Sequence, residues 1–414
     1  MYQAGSLTYQ QGDARDGHAR YSSFLPEIQQ PESTEELRLL LASAGHARRA
    51  VELFGANTKR LMAGAVAPGA IPISTARLNR IVQYEPRDLT ISVEAGIPFT
   101  ELNRELARHG QMIPLEGAYS DEGTAGGMIA ANISGSRRRL YGTARDLVIG
   151  MKFATMDGKL VQSGGMVVKN VAGLDMAKLL IGSFGTLAAI ATVNFKLTPK
   201  PAAARTLIFS FDDIKTALQA RDAAIRGVLN PVAVDILNPV LAAQLNLTAL
   251  NMKGYILAIA FGGSEVIIER SNREAAALGS HRALTAEEDS RFWSALRHLT
   301  PRHLEKFREG SVCRVSTTLS DCGEALASVE GAGHAHAASG IVRAWFSRPD
   351  PANRWLSASA QRGWKGVVEF SADSVKPHLK LWPHPAGDFE IMKRIKQMFD
   401  PEGLLNRGRL YGLL

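Results

Sequence analysis

Asp121-Glu-Gly-Thr-Ala-Gly-Gly-Met-Ile-Ala-Ala-Asn132, read together with Gly182-Ser-Phe-Gly-Thr186, is the stretch whose reading decides the fold. Glycines cluster in it, and nucleophilic or acid–base side chains are few. A residue without Cβ accepts positive φ and lets backbone come close to other backbone or to a large ligand. Between the two clusters, Asp146–Ala154 and Lys159–Gln162 read as strands joined across Asp157-Gly158, a type I′ turn signal. The pattern suits backbone wrapped around a large molecule better than a presented nucleophile.

Upstream, residues 33–48 read as an amphipathic helix, with Ser33 or Thr34 as its cap and Glu35 and Glu36 in its first turn. Strands are expected at Ala50–Phe54, Ile71–Thr75, Ile81–Tyr84 and Thr90–Glu94, and a helix at Pro98–His109 closed by Gly110. Asp175 is expected to cap a helix over Met176–Ile181 that stops at Gly182. A long strand, Thr186–Leu197, then ends at Pro199-Lys-Pro201, where a domain boundary is expected. Beyond it, strands at Arg205–Phe211, Ala233–Leu237, Gly254–Phe261, Ser311–Thr317 and Gly340–Phe346 alternate with helices such as Asp212–Leu229 and Glu287–Leu299. This order predicts an α+β arrangement, an antiparallel sheet with helices on one face.

The length of 414 residues and 45% hydrophobic content fit two globular domains. The net charge of +8 is spread along the chain. Its one cluster, Arg137-Arg-Arg139, lacks interleaved aromatics, so no nucleic-acid partner is expected. The triple arginine reads as solvated surface, with a ligand phosphate or an acidic partner as the alternative. Cys313 and Cys322, nine residues apart, fit neither a zinc site nor an iron–sulfur cluster, and the usage predicts a reducing cytoplasm. No run of eighteen apolar residues occurs, so no transmembrane segment is expected.

No Gly-x-Gly-x-x-Gly follows a strand, and no Gly-x4-Gly-Lys-Ser/Thr phosphate loop occurs. What remains is a set of three turns: Gly55 with Asn57, Thr58 and Lys59; Gly123–Gly127; and Gly182–Thr186. Together their amides could wrap a pyrophosphate, with Lys59 adding charge.

The segments Gly123–Asn132, Arg139-Leu-Tyr-Gly142, Arg145-Asp146, Val168-Lys-Asn-Val-Ala-Gly-Leu-Asp175 and Gly182–Thr186 resemble the FAD-binding domain of the vanillyl-alcohol oxidase / p-cresol methylhydroxylase (PCMH-type) superfamily. Within it the likeness is to the FAD-binding (E) subunits of glycolate oxidases, whose ending Phe399-Asp-Pro-Glu-Gly-Leu-Leu-Asn-Arg-Gly-Arg-Leu-Tyr411 also resembles. The resemblance implies two α/β subdomains holding FAD over residues 1–200, and an α+β cap with an antiparallel sheet over 201–390. Residues 391–414 would return to the FAD domain. Carried over residue by residue, the implied FAD contacts are Gly55, Ala56, Asn57, Thr58 and Lys59 in the first loop, then Thr124, Gly126, Gly127, Asn132 and Gly135. Gly182, Gly185, Thr186 and Ile190 complete the set. Some relatives attach FAD to a first-loop histidine; Asn57 and Thr58 here imply non-covalent FAD, and no metal is implied.

Two departures bear on function. The usual Asn-Pro-Gly near the C-terminus reads Asn406-Arg407-Gly408, which puts the local loop geometry in question. The catalytic 2-hydroxy-acid dehydrogenases of the superfamily carry His-x-Gly-Asp-Gly-Asn in the cap, and nothing of the kind occurs. His334-Ala-His336, between small residues, reads as a solvated loop whose third metal ligand the sequence does not name. Catalytic residues are therefore unknown, the candidates being Arg343 for a substrate carboxylate and His378 and His384, which flank Trp382-Pro383. The resemblance implies an FAD-dependent oxidoreductase of CH–OH groups, oxidising glycolate or a related 2-hydroxy acid within a complex. A second FAD subunit and an iron–sulfur subunit would be its partners, in the cytoplasm or peripheral at the inner membrane through them. A non-catalytic FAD-holding scaffold and a stand-alone alcohol oxidase are the alternatives.

Overall fold

Ser33 stops the chain from continuing in an extended conformation: its hydroxyl accepts the Glu36 N–H at 3.1 Å and caps the helix Thr34–His46. Leu37, Leu41 and Ala44 on one face of that helix are buried against Val51, Ile73, Leu78, Met156 and Leu405. The computed structural model describes residues 27–166, 175–245 and 253–412. Val51–Phe54 and Ile71–Ser74 pair in parallel beneath the helix, and Leu405 adds a parallel bridge to Val51. Chain from the far end of the sequence therefore completes the first layer.

The second layer is a five-stranded antiparallel sheet in the order Ile81–Glu85, Thr90–Glu94, Ala189–Lys196, Val148–Ala154, Leu160–Gly164. Its central strands carry Ile91, Val93, Met151, Phe153, Val193 and Phe195, and these pack against Phe99, Leu102 and Leu106 of the helix Phe99–Ala107 and Met128 and Ile129 of Ala125–Ala130. Alternate positions point to one side of a strand, so a run such as Ala189–Lys196 fills this core while its other face meets the first layer.

Two local expectations differ from the structure. The Asp157-Gly158 hairpin is not a two-residue type I′ turn, because only Gly158 has positive φ, at +76°. Thr155 N–H bonds to the Lys159 carbonyl at 3.1 Å and Gly158 N–H to the Thr155 carbonyl at 2.9 Å, which makes a three-residue loop closed by a left-handed glycine. A Cβ at Gly158 would lie 2.7 Å from Ala42 Cβ, so packing on the first helix also requires glycine. Asp175 does not occupy the cap of its helix; the element runs Ala177–Leu180 with Met176 at the N-cap and no side-chain cap. The family-like motif at 168–174 lies outside the described residues.

After Thr198–Pro199, which pairs with Gln111–Met112, the chain enters an eight-stranded sheet. Its order is His281–Ala283, Ala203–Phe211, Tyr255–Gly263, Ala233–Leu237, Ala332–His336, Ile341–Phe346, Ser311–Ser316, Lys365–Ser371, antiparallel throughout. One face carries Leu207, Phe209, Val234, Ile236, Cys313, Val315, Val342 and Ala344, buried with Ala217, Ile268, Leu326 and Trp355 from the helices Ile214–Arg226, Glu265–Ala275, Cys322–Ala327 and Pro349–Gln361. The opposite face looks toward the first 200 residues. It carries Asp235, Arg314, His334, His336 and Arg343, one residue out of phase with the apolar set. The site is built on that alternation. Among the described residues no helix is long and apolar enough to cross a membrane.

Candidate active site

Two adjoining cavities share Ala131 and Phe184 as lining residues. The smaller, about 100 Å³, lies among the loop Leu53–Arg60, the start of the helix Ala125–Ala130, and Gly185, Ala188, Ile190, Asn406 and Arg409. The larger, about 640 Å³, lies between the five-stranded half and the polar face of the eight-stranded sheet.

Close backbone approach shapes the smaller cavity. A Cβ at Gly55 would fall 2.2 Å from Thr124 Oγ1, and one at Gly126 would fall 2.7 Å from Ala95 Cβ. Thr124 caps its helix by accepting the Gly127 N–H at 3.2 Å, and the Gly126 N–H is taken by the Ala95 carbonyl at 2.7 Å. Gly55 and Gly126 therefore leave room for close approach, and the amides of Gly126 and Gly127 are already used within the protein. Asn57 holds φ +56°, and its Oδ1 is buried without a partner, a polar atom turned to a ligand. Lys59 Nζ donates to the Tyr119 carbonyl at 3.2 Å; burial lowers its pKa to about 8, with Glu122 opposing the shift. Asn406 ties three segments: its Oδ1 accepts the Leu53 N–H at 2.6 Å, and its Nδ2 donates to the carbonyls of Leu53 at 3.0 Å and Phe184 at 2.7 Å. With φ +43° at Asn406 and +95° at Gly408, the loop turns tightly without a proline.

Of the expected cofactor residues, Gly55, Ala56, Asn57, Thr58, Lys59, Thr124, Gly126, Gly127, Gly185 and Ile190 line the smaller cavity, and Asn132, Gly135 and Gly182 line the larger. Thr186 lines neither. Its hydroxyl donates to the Ser183 carbonyl at 2.7 Å and its own carbonyl accepts from Lys396 Nζ at 2.7 Å, a packing role. Trp382 Nε1, at the edge of the larger cavity, is a second buried polar atom without a partner.

The larger cavity is unusually cationic. Arg314 and Arg343 share one buried carboxylate: their Nε atoms donate to Glu369 at 2.8 and 2.7 Å. Burial works to raise the Glu369 carboxyl, but the two guanidiniums hold it below the ordinary range. Among the described residues Arg138 forms no ion pair: its side chain bonds Ser134 Oγ at 3.1 Å, and Asp146 attracts it only at longer range. Burial, then the charges of Arg343 and Arg314, lower its pKa. An unneutralised guanidinium opening onto a cavity is a binding site for an anion.

Beside it, Asp235, fully buried, accepts from His334 Nε2 at 2.8 Å, from His336 Nδ1 at 3.2 Å, and from Ser136 Oγ. Burial works to raise this carboxyl; the two imidazoles outweigh it and keep it below the usual carboxylate range. Burial also lowers His336 to about 4, so that ring is neutral at pH 7. The three groups lie within 4.8 Å of one another, a spacing a metal ion could bridge. Arg343, however, donates to His336 Nε2 and so places the ring proton on Nδ1, the atom that faces Asp235.

The solvated-loop expectation for His334-Ala-His336 is thus corrected. The segment is a buried central strand, and both rings face the cavity. The partner missing from the sequence reading is Asp235, 99 residues away from His334 in the chain. Arg343 does line the cavity. His378 and His384 do not: both are exposed, and His384 Nδ1 contacts only the neighbouring Pro385 carbonyl at 3.1 Å. Arg138, taken from sequence as surface, was missed as a site residue.

Residues 27–164 match the FAD binding domain family, and residues 384–410 match the C-terminal domain of FAD linked oxidases. The chain is 28% identical to the glycolate oxidase subunit GlcE of Escherichia coli (strain K12) over 87% of its own length and 92% of that protein. It is 28% identical to the glycolate oxidase subunit GlcD of Bacillus subtilis (strain 168) and 32% identical to the D-2-hydroxyglutarate dehydrogenase of Xanthomonas citri pv. viticola. Those matches cover 57% and 51% of this chain, and only 49% and 46% of those proteins, about half their length. Among solved structures, p-cresol methylhydroxylase with substrate bound superposes with a TM-score of 0.72 at 15% identity, covering 93% of this chain and 88% of the other. Alkyldihydroxyacetonephosphate synthase superposes with a TM-score of 0.67 at 15% identity, covering 92% and 76%. Much of the smaller cavity lies within the two matched segments, and the chain is an FAD-linked oxidoreductase with a PCMH-type fold.

Proposed function

We propose that this chain is the FAD-binding subunit of a 2-hydroxy-acid oxidase or dehydrogenase complex, oxidising glycolate or a close relative to the 2-oxo acid. The unneutralised Arg138 in the larger cavity carries this reading, because it calls for a small anion where a carboxylate substrate would sit. Residues 55–59 and 124–127 would hold the pyrophosphate end of FAD without a covalent link, and the shared wall at Ala131 and Phe184 leads from there to the larger cavity. Bound FAD supplies a two-electron acceptor for the substrate's α-hydrogen. Arg138, aided by Arg343, holds the carboxylate and so fixes which hydrogen of the α-carbon is presented. Glu369 holds Arg343 and Arg314 in place.

Residues 1–200 would form the FAD domain, 201–390 the cap and 391–414 the returning segment. The names of the glycolate oxidase subunits support a multi-subunit complex; in it electrons would leave to a second flavin subunit and on to an iron–sulfur subunit. Anaerobic addition of glycolate or D-lactate to the purified yellow chain tests the reading. Bleaching of the flavin band supports it; no bleaching with or without a co-expressed partner subunit refutes it. A purely scaffolding role would leave the Asp235–His334–His336 group and the Arg138 imbalance without a use.

A further inference from the structure

We infer that His334 is the proton acceptor of this site: Asp235 fixes its tautomer, and its Nδ1 lone pair takes the proton of the substrate hydroxyl. The inference rests on the 2-hydroxy-acid reading given above and deepens it. The geometry begins with the cap sheet. Asp235, His334 and His336 sit on adjacent strands, with Asp235 in register with His336, and period-2 alternation turns all three to the cavity. Asp235 is held as a carboxylate, so the 2.8 Å bond places a proton on His334 Nε2. Nδ1 then carries the lone pair. Among the described residues no protein group bonds it, and the ring lines the cavity. The indole of Trp345 lies nearly parallel to the ring at 6.5 Å and His336 meets its edge at 4.7 Å, which leaves it little freedom to turn.

The surroundings favour a proton over a metal ion. Arg343 gives His336 the Nδ1–H tautomer, so the second imidazole meets Asp235 with a hydrogen and not with a lone pair. Arg138, Arg297, Arg314 and Arg343 line the same space, against the carboxylates of Glu116, Glu369 and the adjoining Asp235, and Glu116 is itself paired with Arg137. A dication would meet net repulsion there, whereas an imidazolium formed at His334 would lie against the Asp235 carboxylate. Bound FAD would supply the two-electron acceptor for the substrate's α-hydrogen and its electron pair, and His334 Nδ1 would take the O–H proton. The C=O bond of the 2-oxo acid forms, and the imidazolium returns its proton to water after product leaves. A carboxylate-backed imidazole is suited to this role, and such groups contribute about 10²–10⁴-fold to rate.

The test uses the FAD-loaded full chain, with its partner subunit where reduction requires it. In His334→Gln and His334→Ala, anaerobic flavin reduction by glycolate or D-lactate should slow by about 10²–10⁴-fold. FAD content, dithionite reduction and the spectral shift produced by oxalate should stay as in the parent protein. Imidazole should restore part of the rate to His334→Ala and none to His334→Gln. In ¹⁵N-histidine-labelled protein, assigned with the Gln variant, His334 should show a protonated Nε2 and an unprotonated Nδ1, and Asp235→Asn should lose that preference. Reduction of His334→Gln within about threefold of parent would overturn the assignment. So would a protonated Nδ1, or one tightly held zinc or manganese per chain whose chelation stops reduction. If parent protein is not reduced by any 2-hydroxy acid, the functional proposal fails instead, and the tautomer measurement still decides the dyad.

Discussion

Replacing Arg138 by Gln should separate substrate affinity from stability in opposite directions. In the protein without substrate, Arg138 is half-buried, bonded among the described residues to Ser134, and repelled by Arg343 and Arg314 more than Asp146 attracts it. Removing its charge relieves that repulsion, so the variant should melt no lower than its parent. When a carboxylate binds, the same guanidinium makes a charge-assisted and potentially bidentate contact, worth about 1.5–3 kcal/mol. At about 1.4 kcal/mol per decade this is roughly a 10- to 150-fold loss in affinity. Oxalate, a non-reducing dicarboxylate, gives the dissociation constant directly from the perturbed flavin spectrum, and scanning calorimetry gives Tm. The expected pair of results is a raised oxalate Kd with an unchanged or higher Tm. An oxalate Kd within about twofold of parent would refute the anion-site reasoning, because a contact worth even 1 kcal/mol moves it further.

Three further outcomes follow from the same geometry. Lys59 is lowered to about 8 by burial from an ordinary 10.5, so between these values the unfolded chain holds a proton that the folded apoprotein has lost. Apoprotein stability should therefore be greatest above that window, fall as pH drops from about 10.5 to about 8 and level off below, while FAD affinity should weaken above pH 8 by up to about tenfold per unit as an ammonium that would face the pyrophosphate is lost. Fluorescence titration of FAD from neutral to alkaline pH checks this, and a flat profile in the parent would count against it. Gly126→Ala pushes a methyl to 2.7 Å from Ala95 Cβ, and such overpacking should cost about 1–3 kcal/mol by urea denaturation and lower FAD content. Asn406→Ala leaves the Leu53 amide and the Leu53 and Phe184 carbonyls unpaired, each worth about 1–3 kcal/mol if left dry. FAD loss with the cap sheet intact by hydrogen exchange is the expected signature.

The parts of the fold written in local signals were legible in the sequence. Ser33 followed by Glu36 announces a helix start, and the glycine turns singled out in the sequence place Gly55, Gly126, Gly127, Gly182 and Gly185 on the cavity walls. The polar face of the cap sheet was not, for two reasons. Ala332-Gly-His-Ala-His336 holds no β-branched residue and reads as loop; it is a strand because neighbours pair with it on both sides, a tertiary override of weak propensity. Its acceptor, Asp235, comes from a strand about a hundred residues upstream, and no local spacing encodes that adjacency. Arg138 was hidden by its neighbours, since three consecutive arginines look like surface until the chain turns one of them inward. The clue available was period 2: a lone polar residue amid apolar ones in Ala233–Leu237, in residues 312–315 and in Ile341–Phe346 marks one shared face.

The Asn406 clasp also sets an order of events in the cell. It joins backbone at Leu53 and Phe184 to a residue made 353 positions after Leu53. While the chain is still being synthesised, the loop at residues 53–60 can form its strand and helix contacts but lacks its final wall. The cofactor pocket closes only once that distant residue has left the ribosome, so flavin capture comes late and follows cap folding. Nascent chains should accumulate with both sheets formed and no colour, and a pulse of FAD should convert them to a protease-resistant form in one step.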